Sequence, residues 1–167
     1  MNMMSKVFAI LLAALALAMF LSSPSKALSA KEVERVVEVM EQLVEDLGDL
    51  AYDEEAAEIW FEEDAAYEGR IAEAGFSRQT WRQALDGTMK GYFAAIEQSK
   101  LDSVLGPLLE FESREGLTEA QRDTARALIA DWRTKMADWR VQGAKDAGVV
   151  RPFASRIERA LEQPAAR

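Results

Sequence analysis

The 167-residue chain contains neither cysteine nor histidine. Lacking cysteine, it has no disulfide, no thiol chemistry and no residue to carry a lipid after a leader. Lacking both, it cannot build a usual structural zinc site, a covalently attached haem, a Ser-His-Asp triad or a Cys-His dyad. Di-iron bundles draw a Glu-x-x-His pair from each of two helices, whereas "EIWFEED" at 58–64 supplies only carboxylates. No cofactor and no metal are therefore expected. Proline is scarce, with four in the chain, and Pro24 and Pro164 fall outside the expected fold. Burial alone must hold such a chain together. Ala, Glu, Leu and Arg dominate it, all strong helix formers. The composition predicts an all-α protein, a compact antiparallel bundle of four to six helices.

Long apolar runs are also absent, with one exception. Residues 7–21, "VFAILLAALALAMFL", follow Lys6 and precede "SSPSKALSA", where Pro24 breaks a helix and small residues suit a signal peptidase. This is the three-part pattern of a secretory leader over residues 1–30, with cleavage after Ala27 or after Ala30. A membrane span needs about 20 apolar residues, so no stable insertion is expected after cleavage. An uncleaved N-terminal anchor is the alternative. The expected location is a periplasm. Residues 31–163 then form one helical domain, large enough for a real core, and residues 164–167 a frayed tail.

Positive charge is missing from the start of that domain. Residues 31–68 hold fifteen acids against Lys31 and Arg35, while 69–167 hold fourteen acids against sixteen bases. A net charge of −9 makes nucleic acid a poor partner. The asymmetry predicts an acidic hairpin that folds against the Arg-bearing remainder or faces a cationic partner.

A first helix over 29–50 has the seam Val33, Val36, Met40, Leu43, Leu47 and Leu50, widened by Val37 and Val44 to a bundle stripe. Its outer face pairs like charges, Glu34/Glu38 and Glu41/Glu45, which some base should relieve. A second helix over 53–74 carries Trp60, Tyr67, Ile71 and Ala74, with Gly48 either separating the two or bending one long helix, and Gly75 as a left-handed cap. Ser77 caps a third helix, with Phe76 placed to staple onto Trp81. Gly87, Gly91 and Ala94/Ala95 on that helix form a small-residue strip suited to a close crossing. A helix over 100–115 should kink at Gly106-Pro107. Thr118 and Gln121 make a capping box for a helix to about 147, and Pro152 starts the last one, to 162.

The acids Glu54, Glu58 and Glu62 share one helical face, but about 6 Å separates each pair, too far for a compact cation cage without further ligands. A solvated acidic face is the expected reading. A carboxylate-only, peptidoglycan-acting enzyme would need an acid in an apolar pocket. Glu58 beside Trp60 and Glu110 beside Phe111 are the two candidates. The repeat "ADWRTKMADWR" at 130–140 places Ala125, Leu128, Ile129, Trp132, Met136, Trp139 and Gly143 on one stripe. Arg126, Arg133 and Arg140 lie on one shoulder of that stripe. Trp132 and Trp139 are expected in the core, with the arginine row along the acidic edge of the first helix. A partly exposed Trp-Arg platform is the alternative. Candidate interaction residues are Glu54, Glu55, Glu58, Glu62, Arg126, Arg133 and Arg140.

"LTEAQ", Leu117 to Gln121, resembles the LTxxQ motif of the Spy/CpxP group of periplasmic proteins. The resemblance rests on one motif where that family usually has two, together with export, size and helicity. It implies a helical envelope-stress protein acting as an ATP-independent chaperone or as a modulator of a sensor kinase. The expected function is thus a non-catalytic exported interaction protein with a protein partner, and a homodimer stays open. An acidic inhibitor or immunity-type protein for a cationic target is the second reading, and the carboxylate-only enzyme the third.

Overall fold

The computed structural model describes residues 27–48 and 50–162, and the side chains of all of these except Glu162. Most of the expected leader and the expected tail lie outside the described residues. Those described form an all-α bundle without strands. Its helices are α1 (Ala30–Leu47), α2 (Ala56–Ala66), α3 (Arg70–Glu73), α4 (Arg78–Ala95), α5 (Gln98–Val104), α6 (Gly106–Ser113), α7 (Glu119–Gly143), α8 (Ala147–Val150) and α9 (Ala154–Glu162). A 3-10 turn, Arg151–Phe153, leads into α9. Among the described residues no helix is long and apolar enough to cross a membrane.

Side chains cap three helix starts, with Ser77 and Thr118 as expected and Ser29 in addition. Ser29 and Glu32 form a reciprocal capping box at α1, as do Ser77 and Thr80 at α4 and Thr118 and Gln121 at α7. Phe76 meets Trp81 edge-on at 5.6 Å, the expected staple. The expected seam of α1 is buried from Val33 to Val44, and Leu47 is half-buried. The kink at Gly106-Pro107 becomes a break between α5 and α6.

The expected helix over 53–74 is not continuous. Asp64, 3% exposed, turns its carboxylate to accept from the backbone nitrogens of Arg70 and Ile71, both at 2.9 Å. That caps α3 and ends α2 together with Gly69, which adopts φ 71. Ile71 is fully buried as expected, but Tyr67, assigned to the same seam, is 76% exposed. Gly48, at φ 86, separates α1 from the segment before α2 rather than bending one long helix.

The centre of the bundle is α4, which packs on α1, α2, α7 and α8. Trp81, Leu85 and Met89 fill the main core against α1 and α9, and Leu101, Met136 and Trp139 make a smaller core. Tyr52, Phe93 and Ile96 belong to the edges of both. The small-residue strip is the internal crossing. Gly91 faces Val150 and Asp146, and Gly143 of α7 lies against the backbone of Lys90 and Gly91.

The acidic face of α1 finds its base in α9, not in the arginine row of α7. Arg156 donates through Nε and Nη2 to the two carboxylate oxygens of Glu41, at 2.9 and 2.6 Å. Asp46 pairs with Arg70. The Arg156 hydrogen bonds hold the Glu41 carboxyl below its ordinary value of 4.5, against a smaller opposing effect of burial. A carboxyl depressed in the folded state stabilises fully above its unfolded pKa and loses that contribution as pH falls through the folded one. Arg156→Met should therefore lower the urea midpoint at pH 7, and the gap from wild type should be narrower at about pH 3, below the ordinary carboxylate value, than at pH 7. A gap of equal size at both pH values would show that Arg156 acts by packing alone.

Candidate aromatic cleft

A cleft of about 610 Å³ opens where the 50–55 connection, the end of α4, α5, α7 and α9 meet. Aromatic rings form its floor. The indole of Trp139 stacks on Phe93 at 5.4 Å and meets Tyr52 edge-on at 5.1 Å, and Tyr52 lies 6.0 Å from Phe93. Ile96, Leu101, Val104, Met136 and Leu161 supply apolar walls, and Trp132 stands at the side. Such offset and edge-on contacts suit the aromatic quadrupoles and fix the rings in place.

Polar groups hold this floor from behind. The Tyr52 hydroxyl donates to Asp86 Oδ1 at 3.0 Å. Burial first, and the neighbouring Asp86 carboxylate second, push the phenol well above its usual range. It remains a neutral donor at any physiological pH. Arg140 Nη1 donates to the Ile96 carbonyl at 3.1 Å, tying the end of α4 to α7.

The lips of the cleft differ in charge. Lys100 pairs with Glu158 at 2.6 Å and Lys135 with Asp131 at 3.4 Å, so both lysines meet acids. Asp53, Glu54 and Glu55 also line the cleft, exposed. Asp53 Oδ1 accepts from the Glu55 backbone nitrogen at 2.8 Å. Among the described residues no Lys or Arg forms an ion pair with any of these three acids.

The structure divides the expected interaction residues into groups. Glu54 and Glu55 sit on the cleft lip. Glu58 and Glu62 do not form a free acidic face, because Glu58 pairs with Arg78 and Arg82 and Glu62 with Arg78. Arg126 is bound locally by Glu112, Glu119 and Asp123. Arg133 is exposed and lines, with Arg140, a groove of about 320 Å³ on another side of Trp132. Trp139 is 5% exposed, as expected of a core residue, but Trp132 is only half-buried and borders both spaces. Leu128, placed in the same stripe, is 54% exposed. It lines a shallow apolar space with Leu108 and Phe111 of α6.

Of the two acids considered for hydrolysis, Glu110 is exposed and Glu58 lies between two arginines, so neither sits in an apolar pocket. No group of three or more carboxylates among the described residues is arranged to hold a metal ion. The sequence reading missed Tyr52, Phe93 and Leu101 as site residues. Phe93 next to Tyr92 was the available signal, since adjacent aromatics on a helix face different neighbours. The cleft thus joins aromatic and apolar walls to a few polar groups at its edge. No family model, curated protein or solved structure matches the chain.

Proposed function

We propose that this is a non-catalytic exported interaction protein of the chaperone or envelope-stress-adaptor type. Its aromatic cleft receives an apolar segment of another protein, and positive charge beside that segment meets Asp53, Glu54 and Glu55. One observation carries this reading: an open, aromatic-lined cleft borders three acids that no described cation of the fold pairs with. Export rests on the leader pattern at 1–30, with a periplasm as destination. The resemblance of Leu117–Gln121 to the LTxxQ motif supports the same class, and those residues begin α7 through the Thr118 capping box. The acidic-inhibitor reading is narrowed to the 53–55 lip, since Glu58 and Glu62 are engaged within the fold.

The test is a titration of tryptophan fluorescence with short peptides that share an apolar, aromatic centre and differ in their flanks. A Lys-flanked peptide should bind about tenfold more tightly than a Glu-flanked one at low salt, and the difference should shrink by 0.5 M salt. Trp132→Ala should weaken both peptides about tenfold or more, as loss of an aromatic anchor does. Equal affinity for the two flanks would remove the role given to the acidic lip. No binding of either peptide, with no suppression of aggregation of unfolded proteins, would remove the reading itself.

A further inference from the structure

The first described residues are built into the fold in a way that selects between the two cleavage positions. Asp146 lies at the junction of α7 and α8, 1% exposed. Its Oδ1 accepts from the backbone nitrogen of Leu28 at 3.0 Å, and Lys145 Nζ approaches Oδ2 at 3.3 Å. The Leu28 side chain packs against the main core and lies on Gly87, where an added Cβ would come within 2.9 Å of it. Ser29 caps α1, and Ala30 is already its first residue. Ala27, just before this segment, is exposed.

We infer that export removes residues 1–27, and that the new α-ammonium group of Leu28 pairs with the buried carboxylate of Asp146. This rests on the export reading above. In the step, water adds across the Ala27–Leu28 amide under an export-pathway peptidase. The Ala27 carbonyl carbon takes the hydroxyl and the Leu28 nitrogen the remaining proton of that water. The new carboxylic acid then releases its proton and the amine takes one up, leaving a carboxylate on the leader and an α-ammonium group on Leu28. The hydrogen bond from a neutral amide then becomes a charge-assisted one to the buried Asp146 carboxylate. Cleavage after Ala30 would have the opposite result. It would discard the Ser29 cap, the Leu28 contact on Gly87 and the backbone partner of Asp146 together. Cleavage after Ala27 keeps all three, so the leader junction doubles as an anchor that closes α1 onto the α7–α8 corner.

The experiment is intact mass and N-terminal sequencing of the exported protein, followed by amine labelling read on the N-terminal peptide. The expected product begins at Leu28, and its α-amine labels about tenfold more slowly in the folded protein than in urea. Asp146→Asn should bring the folded rate close to the denatured one. A product beginning at Lys31 would overturn the inference while leaving export intact. A chain that keeps its first 27 residues would overturn the inference and leave the uncleaved N-terminal anchor in its place. A product beginning at Leu28 whose amine labels equally fast in both states would overturn the pairing, whether or not the Asp146 variant folds.

Discussion

Gly143→Ala is expected to destabilise the protein by about 3 kcal/mol or more, or to prevent folding. An added Cβ would collide with the carbonyl group of Lys90 and lie 2.6 Å from the nitrogen of Gly91. Both obstacles are backbone, so no rotamer change relieves them. The two helices in question, α4 and α7, make the most extensive helix contact of the bundle. Moving them apart would also loosen the packing of Trp139 on Phe93. Helix propensity works the other way, since alanine is favoured over glycine in a helix by about 1 kcal/mol. The collision outweighs it. Gly148→Ala is the matched control, because a Cβ there meets nothing within 4 Å and Gly148 also lies in a helix. It should be neutral or mildly stabilising. Urea unfolding followed by tryptophan fluorescence reads both variants. A Gly143→Ala protein as stable as wild type would mean that the α4–α7 crossing is not held at the distance seen.

What local chemistry decides was legible in the sequence. The capping residues Ser77 and Thr118 act on backbone within three positions of themselves, so their role needs no knowledge of the fold. The seam of α1 and the close-approach role of Gly91 follow from spacing along one helix. What long-range contacts decide was not legible. Hydrophobic spacing runs unbroken from Trp60 through Tyr67 to Ile71, and the inward turn of Asp64, with Gly69 at positive φ, shows where that helix stops. Relief of the acidic face of α1 was expected from the arginine row of α7. It comes from Arg156, 115 positions from Glu41. Many arginines could have served, and only packing chooses among them.

The cleft is the extreme case of the same limit. Its floor joins Tyr52 from a connection, Phe93 from the end of α4 and Trp139 from α7. The pairing of Phe93 with Tyr92 and the repeat around Trp139 are local signals, but neither shows that these rings meet Tyr52. The acidic lip was visible as residues 53–55, but so were Glu58 and Glu62, which the fold spends on Arg78 and Arg82. A sequence reading detects that acids are in excess. It cannot tell which of them are left over after folding, and the leftover ones carry the functional proposal.

Trp139→Ala is expected to cost about 3–5 kcal/mol, the usual range for removing a large buried aromatic. The indole packs on both Phe93 and Tyr52. Its removal would empty the floor of the cleft and release Tyr52, whose hydroxyl is held by Asp86 on α4. Trp132 differs, although it sits in the same Ala-Asp-Trp-Arg tetrapeptide seven residues earlier. It is half-buried and belongs to the side of the cleft, so Trp132→Ala should cost less stability and more binding. The pair thus separates packing from recognition within a single helix. Stability is read from urea midpoints, and binding from the Lys-flanked peptide under conditions where each variant is folded. If Trp139→Ala were as stable as wild type but unable to bind, the floor of the cleft would be a contact surface and not a core. If Trp132→Ala lost stability alone, the cleft would be a packing gap and the functional proposal would fall with it.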